Sequence, residues 1–438
     1  MSEPLLSVEA ARERVLAAID GPLPAEAHAP ESALGHVLAA SVLATTDLPP
    51  WDNSAMDGYA IRAADVAAAT EEAPVRLRVV GEVPAGGVAA MAVEPGSAIR
   101  IATGAPLPST ADAVVPVELT TPLAADGAPS GPRGREATGP LPAAIAVHTA
   151  VGEGNAIRRR GEDVEAGSSV LETGADMTPA AVALAAGSGA DAVSVHRMPR
   201  IAVLATGDEV RAPGEPLGPA GIPDANGPGL RALVVAAGAT VVDLGIARDD
   251  LDDVLTQLRR GLAEADAVIV AGGVSVGPYD VVKRAFEILG RVDLWRVAVQ
   301  PGKPFAFGTA PDGDREVLLF GLPGNPVSGF VTFELFVRPA IRRLAGRRRL
   351  LRDTDAGVLT EAVAKAPGRR AFLRVVVERD GDDRPIRDAG RVRLRLAGGQ
   401  GSHVLTALAA ADALAIVPES VEALPAGAPV ELLWLDRP

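Results

Sequence analysis

Between residues 200 and 345 the chain alternates short apolar runs with amphipathic stretches, and that alternation leaves little choice of fold. Ile201 to Ala205, Thr240 to Ile246, Ala267 to Ala271 and Val317 to Phe320 read as strands, with helices expected near 228–238, 251–264, 279–289 and 326–345. Strands that are apolar on both sides need cover on both faces, so the prediction is a parallel, doubly wound α/β sheet with helices on either side. Three glycine-rich turns lie in its second half: Gly-Gly-Val-Ser-Val-Gly-Pro-Tyr-Asp (272–280), Gln-Pro-Gly-Lys-Pro-Phe-Ala-Phe-Gly (300–308) and Gly-Leu-Pro-Gly-Asn-Pro-Val-Ser-Gly (321–329). The first and third each follow a strand and open a helix, so backbone N–H groups and a helix N-terminus can face an anion with no side chain between. Any one such turn also suits tight strand-to-helix packing. Together, with Lys303 between them, they point to loops that hold one phosphorylated small molecule.

With 438 residues and 48% hydrophobic content, the chain is long enough for about three domains with their own cores. A net charge of −14 argues against nucleic acid or an anionic membrane as the main partner, since both would repel it. There are no cysteines, which excludes disulfides, thiolate metal sites and cysteine nucleophiles. The histidines His28, His36, His148, His196 and His403 show no zinc-site spacing. No apolar run reaches the roughly 18–20 residues needed to cross a bilayer, and the start Met-Ser-Glu-Pro lacks the basic character of a signal peptide, so a cytoplasmic protein is expected.

On the N-terminal side, Val8, Ala11, Val15, Leu16 and then Ala33, Leu34, Val37, Leu38 recur at helical spacing. After Leu48-Pro49-Pro50 the texture turns β-like, with strands expected at Val75 to Gly81, Ala98 to Ala102 and Ala113 to Val117, and a mobile Pro/Gly/Ala-rich loop at 121–145. A basic hinge, Arg347-Arg348-Arg349, closes the α/β unit. Beyond it Phe372 to Glu378, Arg391 to Leu396, Ala413 to Val417 and Val430 to Leu435 read as strands of a small β domain, with turns at 380–381 and 398–399.

Ligands of a doubly wound sheet sit outside the carboxyl ends of its strands. Here those positions are acidic: Thr206-Gly207-Asp208-Glu209, Arg248-Asp249-Asp250, and Asp280 at the end of the third strand's loop. Asp249, Asp250 and Asp280 are each equally well read as helix N-caps. As site residues, several carboxylates beside phosphate-binding glycines would repel the ligand unless Mg²⁺ bridged them to the phosphate oxygens. Lys303 would supply a further point charge.

A second set of segments lies far away in sequence. It comprises Pro50-Trp51-Asp52-Asn53-Ser54-Ala55-Met56-Asp57-Gly58-Tyr59-Ala60, Arg100-Ile101-Ala102-Thr103-Gly104-Ala105-Pro106 and Ile157-Arg158-Arg159-Arg160-Gly161-Glu162-Asp163. Domain-joining turns and a solvated arginine run are the plain alternatives, and spacing does not place these segments near 272–329.

Taken with Thr206-Gly207-Asp208-Glu209, Gly272-Gly273-Val274-Ser275-Val276-Gly277 and Gly321 to Ser328, these segments resemble molybdopterin molybdenumtransferase, the family that includes the C-terminal part of gephyrin. The resemblance runs through nearly the whole chain. It implies a multidomain α/β protein: an elongated linking domain of 1–51 plus 158–198, a β-rich inserted domain of 52–157, the α/β domain of 199–346 and a C-terminal β-barrel-like domain of 347–438. It implies a reaction in which adenylylated molybdopterin and molybdate yield AMP and molybdenum cofactor. The implied form is a homodimer whose site lies between the α/β domain of one subunit and the β-rich domain of its partner. Asp57 and Thr103 would act from the partner's side, and Glu209, Asp249 and Asp280 from the α/β domain, the last three also holding Mg²⁺. Gly272, Gly273, Ser275, Gly277, Gly324, Asn325 and Ser328 would bind the substrate, with Arg296, Lys303 and Ser328 the candidates for molybdate or phosphate. Gln300 stands where many relatives carry a lysine, and Arg296 where a lysine can also occur. A molybdopterin adenylyltransferase and the cofactor-accepting enzymes are possible partners. The rival readings are a molybdopterin adenylyltransferase, normally a single α/β domain of less than half this length, and a gephyrin-like scaffold without catalysis.

Overall fold

The computed structural model describes residues 5–88, 90–134, 139–273 and 281–435. Ser7 caps the first helix, α1 (Val8–Ala17), by accepting from the Ala10 N–H, and α1 buries Val8, Ala11 and Val15. The second helical pattern, at 33–38, does not form a helix. A short 3₁₀ turn, Pro30–Ala33, gives way to bridges from Val37 to Asp176 and from Leu38 to Val195. The reason is tertiary: Leu38 is buried with Val193, Val195, Ala181 and Ala185 in one small core, which an isolated helix could not offer it.

Six strands follow: β1 (Gly58–Ile61), β2 (Val75–Val83), β3 (Ser97–Ile101), β4 (Ala113–Pro116), β5 (Thr120–Leu123) and β6 (Ala144–Val147). They form one sheet in the order β4-β1-β3-β2-β6-β5. The predicted 121–145 loop is therefore shorter at both ends, because its flanks pair with each other as β5 and β6. The chain then returns to the N-terminal segments: Ser169–Leu171 pairs with Val42–Leu43, and Val193–His196 with Ala25–His28. Between these lies α2 (Pro179–Gly187), capped by Thr178.

The α/β unit is built from β7 (Arg200–Thr206), α3 (Asn226–Ala236), β8 (Thr240–Ala247), α4 (Leu251–Glu264), β9 (Ala267–Ala271), α5 (Val281–Leu289), β10 (Arg291–Arg296), β11 (Pro304–Asp312) and β12 (Arg315–Leu322). The sheet order is β8-β7-β9-β12-β11-β10. The first four are parallel, as their doubly apolar runs require. The last two add an antiparallel edge that sequence reading took for a glycine-rich turn at 300–308. Phe305 and Phe307 explain the strand, for both rings pack in the core with Trp295 and Phe320. Helices cover both faces. On one, α4 and α5 pack on Ala202, Leu204, Val268 and Val270; on the other, Ile201, Val203, Ile269 and Phe320 meet α1, α3 and the helix that follows β12. That helix runs as α6 (Pro326–Thr332), a π-helical turn Phe333–Val337, and α7 (Arg338–Leu344).

The C-terminal strands are β13 (Thr354–Leu359), β14 (Arg370–Val377), β15 (Arg391–Leu396), β16 (Ala413–Val417) and β17 (Pro429–Trp434). Pairings β14-β16-β17-β13-β15-β14 close into a barrel, β13 being the strand that periodicity did not reveal. Phe372 and Leu414 of this barrel lie in the same core as the α/β sheet, and Val299–Gln300 pairs with Arg370–Ala371, so the two units are joined by side chains and backbone. The Arg347-Arg348-Arg349 hinge also fastens. Arg347 pairs with Asp176 at 2.8 Å and donates to the Gly35 carbonyl at 2.6 Å, and Arg348 donates to the Thr173 carbonyl at 2.6 Å. No helix among the described residues is long and apolar enough to cross a membrane.

Candidate active site

Parallel strands end together. Thr206 pairs with Ala247, Ala205 with Ala271 and Ala271 with Leu322, so the segments after four strands emerge side by side at one end of the sheet. They enclose a cavity of ≈ 650 Å³. Thr206, Gly207, Glu209 and Val210 line it after β7, Asp249 after β8, Gly272 and Gly273 after β9, and Pro323, Gly324, Asn325 and Ser328 after β12. Ile222, Asn226, Ala271, Val281 and Pro304 complete the wall.

The glycines are required by space as well as by conformation. Gly272 has φ +100°, and a Cβ there would meet Thr206 Oγ1 at 2.9 Å and the Thr206 carbonyl oxygen at 3.0 Å. At Gly273 (φ +61°) a Cβ would meet Val282 Cγ2 at 2.3 Å. Backbone therefore forms this part of the wall. Gly324 approaches from the other side, where a Cβ would stand 3.6 Å from Gly272 Cα.

The carboxylates sort into two kinds. Asp250 caps α4, accepting from the N–H groups of Asp252 at 3.0 Å and Asp253 at 3.1 Å. Asp249, one residue earlier, lines the cavity, and its backbone N–H donates to Asp208 Oδ1 at 3.3 Å. Burial, followed by the charges of Asp208 and Glu209, holds its carboxyl above the usual aspartate range. Among the described residues, no group of three or more His, Cys, Asp or Glu side chains is spaced to hold a metal ion. Asp280, the third carboxylate expected to bind Mg²⁺, lies outside the described residues, as do Ser275 and Gly277.

Of the other predicted residues, Lys303 and Arg296 do not line the cavity. Arg296 pairs with Pro304 at the end of the β10–β11 ladder, next to Lys303, whose carbonyl accepts from the Val297 N–H at 2.9 Å. Three residues that sequence reasoning passed over matter here. Asn226 donates to the Gly324 carbonyl at 2.7 Å, and buried Asp224 accepts from the Gly227 N–H at 2.9 Å at the start of α3. The signal was Asp224-Ala225-Asn226-Gly227, a polar turn opening a predicted helix. Arg374, fully buried in the barrel, donates to the Gly399 carbonyl at 3.3 Å and the Gly401 carbonyl at 3.1 Å. The loop so held reaches the cavity's helix, for the Ser402 carbonyl accepts from the Val327 N–H at 3.2 Å.

The three remote segments do meet one another. Ile157–Arg158 pairs with Asn53–Ser54, and Asn53 bridges to Pro106. Arg159 and Arg160 are exposed, as a solvated run would be, and are also engaged: Arg159 reaches Asp52 Oδ2 at 2.7 Å, the Arg160 N–H reaches Asp52 Oδ1 at 2.8 Å, and the Arg160 side chain pairs with Asp47. Asp57 Oδ1 accepts from both the N–H and the hydroxyl of Thr103, at 2.7 and 2.8 Å. Among the described residues, no hydrogen bond joins Asp57 or Thr103 to the cavity at the end of the α/β sheet.

Comparison with known proteins bears on both regions. Residues 6–189 match the family model described as MoeA N-terminal region (domain I and II), 202–343 the one described as probable molybdopterin binding domain, and 356–435 the MoeA C-terminal region (domain IV). A Mycobacterium tuberculosis protein named molybdopterin molybdenumtransferase 2 is 38% identical over 406 residues, covering 91% of this chain and 92% of that one. The chain belongs to the molybdopterin molybdenumtransferase family. A Haemophilus influenzae molybdopterin molybdenumtransferase is 32% identical, with 98% of each chain covered. A crystal structure of a Pyrococcus horikoshii molybdopterin biosynthesis protein superposes with a TM-score of 0.74 at 28% identity, over 98% of this chain and all of that one. Members of this family are transferases of molybdenum cofactor biosynthesis, and this chain is one of them.

Proposed function

We propose that the cavity at the carboxyl end of the α/β sheet binds adenylylated molybdopterin and that the chain transfers molybdenum from molybdate to it, releasing AMP. The observation that carries this reading is the meeting of glycine-built walls with Glu209 and Asp249 in one cavity of a molybdopterin molybdenumtransferase family member. The backbone N–H groups of Gly273, Gly324 and Asn325 would hold the phosphoanhydride, that of Gly272 being given to the Leu322 carbonyl at 3.1 Å. Asn325 and Ser328 add side-chain donors beside them, and Lys303 and Arg296, next to the wall at Pro304, are the cations for the incoming oxyanion.

Glu209 and Asp249 fit a hard divalent cation, because Asp249 is raised by burial and by neighbouring negative charge that a cation would neutralise. Mg²⁺ held there, with Asp280 as a further candidate ligand, would supply charge neutralisation for the phosphoanhydride. Glu209 and Asp249 would place that cation, and an oxygen of water or molybdate would attack a phosphorus of the anhydride, the bridging P–O bond breaking so that AMP leaves, while molybdenum would pass to the dithiolene sulfurs of molybdopterin with loss of molybdate oxygen as water. On the same reading the protein is a homodimer, and Asp57 and Thr103 enter the site from the partner. Both Thr103 donors fall on one oxygen of Asp57, which leaves its second oxygen to face a ligand. The working domain boundaries remain 1–51 plus 158–198, 52–157, 199–346 and 347–438.

The test is AMP release from adenylylated molybdopterin by the purified protein with Mg²⁺, with and without molybdate. Molybdate-dependent release is expected. Absence of release from a folded protein that binds the substrate would overturn the reading.

A further inference from the structure

The two glycine loops need a defined separation if one phosphorylated ligand is to touch both, and their contact with each other is slight. Gly324 packs on Gly272 with no side chain on either residue, so nothing of theirs interlocks. The 323–325 segment is fixed elsewhere. Asn226, half-buried in the cavity wall, donates from Nδ2 to the Gly324 carbonyl at 2.7 Å. Its own position is set by α3, whose start is held by buried Asp224 through the Gly227 N–H at 2.9 Å. The helix is in turn anchored by Leu230 and Val234, both buried against the sheet. A chain of contacts thus runs from the sheet core through α3 and one carboxamide to the backbone of the third glycine turn.

We infer that Asn226 is a positioning residue that sets the Gly324 turn at ligand-binding distance from the Gly272 turn. This rests on the proposed function, since it concerns the same cavity. Asn226 carries no charge and need not touch the reacting atoms; its donor holds the Gly324 carbonyl so that the Gly324–Asn325 backbone keeps its place in the cavity wall. Losing that bond should weaken substrate capture more than it slows the chemical step, because a displaced turn grips substrate and transition state about equally less well.

The experiment compares wild type with Asn226→Ala, which deletes the donor, and Asn226→Asp, which keeps the shape but sets a carboxylate oxygen against the Gly324 carbonyl. The expected result is a KM for adenylylated molybdopterin raised about tenfold in Asn226→Ala, the loss of about one hydrogen bond, and more in Asn226→Asp, with kcat within about threefold and melting temperature unchanged. An unchanged KM in both variants overturns the inference. So does a fall in melting temperature with KM unchanged, which is what a purely structural residue would give. An inactive wild type would count against the proposed function instead, and binding of the substrate to wild type and variants by calorimetry would then read the positioning role on its own.

Discussion

Asp250 turns its carboxylate back onto two amides of its own helix, whereas Asp249 lies in the cavity wall with the charges of Asp208 and Glu209 upon it. A carboxyl whose pKa is raised on folding binds protons more tightly in the native state than in the unfolded one. The ionised form of Asp249 therefore works against folding at neutral pH, and that cost disappears once the pH falls below the ordinary aspartate pKa of about 3.9. Asp249→Asn is accordingly expected to abolish molybdate-dependent AMP release while melting at the same or a higher temperature than wild type at pH 7. Any gain should vanish as the pH is lowered through the aspartate range. Thermal melts of both proteins between pH 3 and 8 check this, and a variant clearly less stable at pH 7 would contradict it. Asp57, held by two Thr103 donors, should behave differently: its loss would end activity without a stability gain.

At the level of elements, the long helix after β12 contributes to a buried cluster of three charged side chains. Glu334, on the π-helical turn, accepts from Arg352 Nε at 2.6 Å and Nη2 at 3.0 Å, and Arg338 Nε lies 3.7 Å away. Arg338 is buried, with Nε and Nη1 lacking hydrogen-bond partners among the described residues, and burial followed by the charge of Arg352 pulls its pKa down to about 10. Both guanidiniums depend on one carboxylate that is itself nearly inaccessible. Glu334→Gln should therefore lower the unfolding free energy by about 3–5 kcal/mol, read by urea denaturation, because removing one partner strands buried charge. A loss below about 1 kcal/mol would place the cluster in the class of solvent-screened pairs. Since Arg352 precedes β13, the same bond fastens the barrel to the α/β unit whose helix α6 meets the barrel's Ser402 carbonyl.

For the whole molecule, the decisive issue is that Asp57 with Thr103 sits on one surface and Glu209 with Asp249 in a separate cavity. A homodimer would bring the first surface of one subunit to the second of its partner, and this can be measured. Asp57→Asn and Asp249→Asn proteins, each inactive alone, should regain activity when unfolded, mixed and refolded together. In a two-fold dimer about half the molecules would be hybrids with one of two sites intact, giving about a quarter of wild-type AMP release. No recovery, with hybrids demonstrated by mass spectrometry, would mean that both residues act within one chain or that Asp57 does not act at all.

Local pattern was enough to place the parallel strands, because a strand buried on both faces must be apolar throughout and little else in a chain reads that way. It also put Gly272, Gly273, Gly324, Asn325, Ser328, Glu209 and the undivided pair Asp249-Asp250 just beyond those strands, where the cavity opens, since the carboxyl ends of such strands converge whatever the loops contain. Tertiary structure decided the rest. The helical spacing of Val37 and Leu38 gave way to bridging because burial against Val195 outweighs the weak preference of a few residues for a helix. Of the 300–308 glycines, Gly302 precedes a strand and Gly308 lies within it, because Phe305 and Phe307 pack with Trp295, a contact no local reading contains. Asp249 and Asp250 are the same residue type at adjacent positions, and only the fold separates a cavity carboxylate from a cap. Asn226, Arg374 and the joining of segments near 53, 103 and 158 depend on partners roughly 25 to 105 residues away, a distance across which spacing carries no information.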